Sequence, residues 1–238
     1  MILWKSNADC HEHCPSLEPY SPASKVSQYV PTVFSSGDTR HHTGYQGWPD
    51  DEKDALWMDL YRYGISLAVS SSDYDKMIDT TEKMPVRGFE QDYVVGLDVF
   101  HQLHCLNMIR MGFYPGRYNT SLLKPDGTIN YLQWVHVDHC IESIRQSVMC
   151  HADIATFTYR WSDKDKIMKP ELGSTHICRN FTIVREYAME RNVDWQNIRA
   201  HVEDGEVVDY TNSGPHPYDD PHLEEAPEGW KYRREDLL

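Results

Sequence analysis

Apolar residues never run far in this chain. The longest stretches, such as Ile65–Val69 and Tyr93–Leu97, fall well short of the roughly 20 residues a bilayer-spanning helix needs. No secretory leader is visible either, since Met1-Ile2-Leu3-Trp4 gives way at once to polar residues. Basic residues are outnumbered: 23 Lys and Arg stand against 37 Asp and Glu, for a net charge of −14. A surface of that sign repels phosphate backbones and anionic lipid, which excludes nucleic acid as the expected partner. There is no P-loop, GxGxxG fingerprint or GxSxG elbow, so nucleotide cofactors and serine hydrolysis are disfavoured. No repeat is found beyond one duplicated pentapeptide.

What is present is enough for a folded domain. Hydrophobic residues make up 40%, aromatics 12% and charged residues 25%, close to the soluble globular average. The six cysteines, Cys10, Cys14, Cys105, Cys140, Cys150 and Cys178, could close three disulfides, in any of about 15 connectivities. Two sequons, Asn119-Thr120-Ser121 and Asn180-Phe181-Thr182, fit a secretory compartment. With paired cysteines they point to an oxidising lumen.

Local signals divide the chain into an extended N-terminal segment (1–48), a central domain (49–211) and a Pro-rich acidic tail (212–238). A helix is expected from Pro49-Asp50-Asp51-Glu52, with acids in its first turn and Leu56, Leu60, Tyr63 and Leu67 at helical spacing. Tyr93–Val95 suits a short strand. Helices follow at about Leu97–Met111, ended by Gly112 and Pro115, and at about Asn130–Cys150, after a Pro125-Asp126-Gly127 turn. Thr156–Trp161 is rich in strand formers, and Thr182–Arg191 reads as a helix. The fold expected is mainly α-helical with a few short β-strands, built round a helix hairpin.

That hairpin carries the duplicated motif, His101-Gln102-Leu103-His104-Cys105 and His136-Val137-Asp138-His139-Cys140. Residues three apart share a helix face, with Cβ atoms roughly 5–6 Å apart. His101 and His104 can therefore address one metal ion, and so can His136 and His139. The first stripe reads Leu97, His101, His104, Met108, Met111, so the imidazoles fall in an apolar seam, where neutral donors are costly unless something binds them. A hairpin would gather all four, for one four-histidine ion or two ions with two histidines each. Each cysteine points about 100° away from its histidine. A Cys105–Cys140 disulfide would staple the helices, while the competing reading makes both thiolates ligands of zinc or copper. Four nitrogen donors without an obligatory carboxylate suit copper, with iron and zinc behind it. Asp98 could complete a two-histidine, one-carboxylate triad with His101 and His104. Asp138 and Glu142 are similar candidates, and a solvated helix face is the plainer reading of all three.

Around these residues the sequence resembles the UstYa family of fungal secondary-metabolite oxidases. The resemblance rests on Phe100–Asn107, on His136–Glu142 with the following Arg145–Asp153, and on His176-Ile177-Cys178-Arg179-Asn180-Phe181. It implies oxidative tailoring of a peptide-derived or other small metabolite: ring closure, hydroxylation, desaturation or, in some members, halogenation. It also implies dioxygen and metal dependence with copper leading, and a secretory lumen reached behind an N-terminal membrane anchor, which is expected to fall outside this sequence. The expected chemistry is hydrogen-atom abstraction from a C–H, N–H or phenolic O–H group. A homo-oligomer, or a hetero-oligomer with a related oxidase, is a further expectation. Halogenation at the same metal and a non-catalytic zinc-stapled scaffold are the rival functions.

Other residues carry weaker expectations. Cys150 and Cys178 suggest a second disulfide. Tyr159 and Trp161 could line a substrate pocket or sit in a core; His176 could be an extra ligand or a surface residue. Asp153 could orient a ligand imidazole through its second N–H or begin a turn. Cys10-His11-Glu12-His13-Cys14 reads as a small disulfide loop or an adventitious binder, and His41, His42, His216 and His222 are assigned no role.

Overall fold

The structure, a computed structural model, describes residues 19–36, 43–118, 122–124, 128–156 and 158–213. Its elements in chain order are β1 (Tyr29–Val33), α1 (Asp51–Tyr61), β2 (Leu67–Val69), α2 (Ser71–Tyr74), β3 (Tyr93–Val95), α3 (Asp98–Gly112) and α4 (Pro115–Tyr118). There follow α5 (Tyr131–His151), β4 (Thr158–Ser162), β5 (Ile167–Glu171), β6 (Thr175–Arg179), α6 (Phe181–Arg191), β7 (Ala200–Glu203) and β8 (Glu206–Asp209).

The acids at the start of α1 act as the sequence suggests. Asp50 accepts a hydrogen bond from the Lys53 N–H at 2.7 Å, and Asp51, Glu52 and Asp54 occupy the positive end of the helix. The apolar spacing nevertheless outruns the helix, which stops at Tyr61. Gly64 takes φ +103°, and Leu67 opens β2 instead. A side chain at Gly64 would place its Cβ 2.2 Å from the Phe100 ring, so both backbone and space require glycine there.

β2 pairs with β3 in antiparallel register, Leu67 opposite Val95 and Val69 opposite Tyr93. The buried face of β2 meets α1, α3 and α6. Ala23, Tyr61, Leu67, Phe100, Tyr187 and Ala188 form the core cluster, with Leu97, Leu103 and Val184 packed against it. Phe100 is fully buried; burial of such a ring contributes about 2–3 kcal/mol.

The expectation of a mainly helical fold is overturned. Of the described residues about 38% are helical and 21% strand, in six helices and eight short strands forming small antiparallel sheets. Four two-stranded sheets account for them. Strands of three to five residues are too short to impose an alternating pattern. The β1–β6 and β2–β3 pairings also act at a distance, whereas β4–β5 and β7–β8 are local hairpins, the second turning on Asp204-Gly205 with positive φ at both residues. β1 adds an element to the extended N-terminal segment, for which the sequence suggests no strand. Tyr29–Val33 pairs antiparallel with β6, Tyr29 opposite Arg179 and Val33 opposite Thr175. The Cys10–Cys14 loop, His41, His42, the Asn119 sequon, the Pro125–Gly127 turn and the tail from Gly214 lie outside the described residues.

Candidate metal centre

α3 and α5 pack as the hairpin that brings the two pentapeptides face to face. Ala152 caps the end of α5, and its left-handed conformation (φ 39°) lets its N–H bond back to the Val148 carbonyl. The histidines meet in two rungs. The rings of His101 and His139 have centroids 5.5 Å apart, and those of His104 and His136 lie 5.8 Å apart. This crossed order, first with second and second with first, is what antiparallel helices require.

The seam is open on one side. His104 is half-buried, whereas His136 and His139 are exposed and the His101 side chain is 39% exposed. Burial, followed by the neighbouring His136 and His101, holds His104 below the ordinary imidazole value. His136, exposed at its outer edge, is lowered as well, by the part of its ring that the seam desolvates and then by His139 and His101. Both effects favour the neutral ring, the form that ligates metal.

Cys105 and Cys140, expected as a staple, are free thiols here, both fully buried. They touch one another, and burial first and the Cys105 hydrogen bond second push the Cys140 thiol upward. Cys105 Sγ also lies 3.6 Å from His101 Nε2. Donor atoms of His101, Cys105 and His139 fall within 4.8 Å of one another. The Cys105 thiol thus lies beside the donor atoms of the His101–His139 rung.

A buried polar network backs the first helix. Tyr61 sets its ring edge against His104, centroids 5.2 Å apart. Asn107, 2% exposed, donates to the Tyr61 hydroxyl at 2.9 Å and accepts from Arg110 at 2.9 Å. Arg110 continues to Asp54 at 2.8 Å, where Arg117 and Tyr118 also donate. Burial would raise the Asp54 carboxyl, but hydrogen bonds from Tyr118, Arg110 and Arg117 outweigh it and bring it to about 2. Nothing in the sequence singles out Tyr61, Asn107 or Asp54, because their link crosses from α1 to α3.

Beside the His101–His139 rung a groove of about 420 Å³ runs along α5 past Glu142 and Gln146 to Cys150 and His151. Asp98 borders it, 73% exposed and accepting a hydrogen bond from Gln102. Asp138 is exposed and Glu142 pairs with Arg145 at 2.6 Å, so all three carboxylates sit on solvated surface. Tyr159 and Trp161, expected in a pocket or a core, are 56% and 54% exposed on the β4–β5 hairpin and do not line this groove. Cys150 is exposed and Cys178 half-buried, and both are free. His176 and Asp153 bond to each other at 2.6 Å beyond the end of α5, away from the rungs.

The family model described as mycotoxin biosynthesis protein UstYa matches residues 1–191. The chain belongs to the UstYa family. Among UstYa family relatives, the oxidases phomYc and phomYc' of Diaporthe leptostromiformis are 29% and 30% identical to this chain. The phomYc match covers 79% of this chain and 74% of that protein. The phomYc' match covers 79% and 66% respectively. The transacylase cctO of Talaromyces islandicus is 29% identical over 76% of this chain and 63% of its own length. No solved structure was found to match.

Proposed function

We propose that this UstYa family member is a copper-dependent oxidase that tailors a peptide-derived or other small secondary metabolite with dioxygen. An oxidoreductase role in secondary-metabolite biosynthesis follows from the family and its named oxidases. The finer reading rests on one observation: two rungs of facing imidazoles across the α3–α5 hairpin, with a buried thiol at one of them. Nitrogen and sulfur donors at that density, with two rings biased to the neutral form, fit a first-row metal. His101, His104, His136 and His139 would hold one or two ions, with Cys105 available to one of them.

Bound copper supplies one-electron chemistry with dioxygen. The chain supplies the rest. The open side of the rungs admits substrate, and the groove beyond it offers the Gln102 and Gln146 amides and the Ser143 and Ser147 hydroxyls to a hydrogen-bonding substrate. Tyr61, itself buried, packs against the His104 ring and would help hold it in place. We place the protein in the secretory lumen on the strength of its sequons and cysteines. Among the described residues no helix is long and apolar enough to cross a membrane.

The test is dioxygen consumption with ascorbate by copper-loaded and zinc-loaded protein, paired with product masses over a panel of short peptides. Substrate-dependent uptake and mass changes that need copper and are lost in His101→Ala/His136→Ala support the oxidase. A second reading, a zinc-stapled scaffold, draws on the Cys105 thiol in the donor group, since histidine and cysteine sets suit structural zinc. The transacylase among the relatives makes acyl transfer a reaction to assay on this chain as well.

A further inference from the structure

Beyond the last turn of α5 lies a polar group that the metal reading leaves unused. Asp153 Oδ2 is 2.6 Å from His176 Nδ1, and Ser174 Oγ is 3.0 Å from His176 Nε2. One imidazole thus stands between a carboxylate and a hydroxyl, each within hydrogen-bond reach of a different ring nitrogen. That order of contacts activates a serine: the carboxylate keeps the proton on Nδ1, and Nε2 is free to take the hydroxyl proton.

The group is held on fixed backbone. His176 lies in β6 opposite Thr32 of β1, and its ring stacks on Phe34 with centroids 3.7 Å apart and planes 16° from parallel. The Ala155 N–H donates to Asp153 at 2.8 Å. Ser174 is tied on both sides, its N–H donating to the Leu172 carbonyl and its carbonyl accepting from Phe34, each at 2.9 Å. The hydroxyl is half-buried rather than sealed. Apolar surface flanks it: Phe34, Leu172 and Ile154 are 46%, 49% and 94% exposed. His151 stands twelve residues along α5 from His139, about 18 Å of helix at roughly 1.5 Å per residue, so this group is distinct from the histidine rungs.

We propose that Ser174, His176 and Asp153 form an acyl-transfer site for an ester or thioester with an apolar acyl chain. Ser174 Oγ attacks the carbonyl carbon while His176 Nε2 takes its proton, and the carbonyl π pair moves onto oxygen. When the carbonyl re-forms, the bond to the alcohol or thiol breaks, and that group leaves with the proton from His176. Water, or an alcohol or amine acceptor, then attacks the acyl-serine through the same base and frees Ser174. No electron is gained or lost, and no metal is needed. Lack of a GxSxG elbow disfavours serine hydrolysis from sequence. This row instead joins a Ser-x-His step in β6's approach to a carboxylate delivered by α5, and such rows are recognised by geometry rather than sequence order.

The experiment treats the full chain with a fluorophosphonate probe, maps the adduct by mass spectrometry, and measures p-nitrophenyl butyrate hydrolysis. Labelling falls on Ser174 and is abolished in Ser174→Ala. It slows about 10²-fold or more in His176→Gln and in Asp153→Asn. The His101→Ala/His136→Ala protein and EDTA-treated protein label Ser174 as wild type does, which separates this site from the metal centre. Folding of each variant is checked by circular dichroism, and if the variants unfold, labelling of the wild-type chain decides. A folded wild-type protein that carries no adduct at Ser174, or a folded His176→Gln protein that labels at the wild-type rate, overturns the proposal.

Discussion

The buried link from Tyr61 to Asn107 makes a quantitative prediction about how α1 supports the histidine rungs. Tyr61→Phe keeps the ring against His104 but removes the hydroxyl that Asn107 meets at 2.9 Å. The Asn107 amide, in a residue 2% exposed, then loses that acceptor. A lost hydrogen bond of about 1 kcal/mol, plus part of the 1–3 kcal/mol desolvation penalty, puts the cost at about 2 kcal/mol. For a chain of this size that lowers Tm by about 4–8 °C. Asn107→Ala costs more, about 3 kcal/mol, because Arg110 also loses its acceptor and a cavity opens. Urea unfolding of wild type, both single variants and the double variant forms a cycle, with an expected coupling of about 1–2 kcal/mol. Copper titration of the same proteins separates packing from ligation. Tyr61→Phe keeps wild-type affinity within about twofold, whereas Tyr61→Ala, which removes the edge contact to His104, weakens it about tenfold. Additive effects in the cycle, or an unchanged affinity in Tyr61→Ala, would refute the idea that this network positions the site.

Three further outcomes are expected. Gly64→Ala meets Phe100 at 2.2 Å and sits at φ +103°, so overpacking and backbone strain together cost about 3–5 kcal/mol; a loss under 1 kcal/mol in urea unfolding would show that the contact relaxes freely. Because the folded Asp54 carboxyl is held at about 2, below its unfolded value near 3.9, its contribution is fully present above pH ~4 and lost as pH falls toward ~2. Its partial exposure discounts that to about 1–2 kcal/mol, and Asp54→Asn should flatten this part of the acid stability profile. Cys105 and Cys140 should resist alkylation in the native protein and react without reductant once it is unfolded, whereas a pair that stays blocked until reductant is added is cross-linked.

The sequence carries the local half of this molecule clearly. α1, α3, α5, α6, β3 and β4 all begin within two residues of where capping, spacing and composition put them, because those signals act over a few neighbouring residues. The histidine rungs follow from two facing helices that each carry the pentapeptide. Pairings across distance are silent: nothing in Tyr29–Val33 announces β6 as its partner, and nothing in Asn107 announces Tyr61. The apolar spacing through Tyr63 and Leu67 misleads for the same reason, since the approach of Gly64 to Phe100 is a tertiary fact. Tyr159 and Trp161 look like pocket material by type, but their hairpin leaves both exposed. Cys105 could be read as a staple or a ligand from sequence, and only the 3.6 Å approach to His101 Nε2 draws it into the donor group.

Whether the two facing rungs hold copper is decided by metal content read together with the EPR spectrum. Protein reconstituted with copper should retain one or two equivalents by mass spectrometry. Its spectrum should show nitrogen ligation that disappears on ascorbate reduction, with both the metal and the signal lost in His101→Ala/His136→Ala. Coupled pairs of copper(II) ions give no signal, so the metal count must accompany the spectrum. Stoichiometric zinc that copper cannot displace, or copper retained in full by the double variant, would rule out a copper site at these histidines.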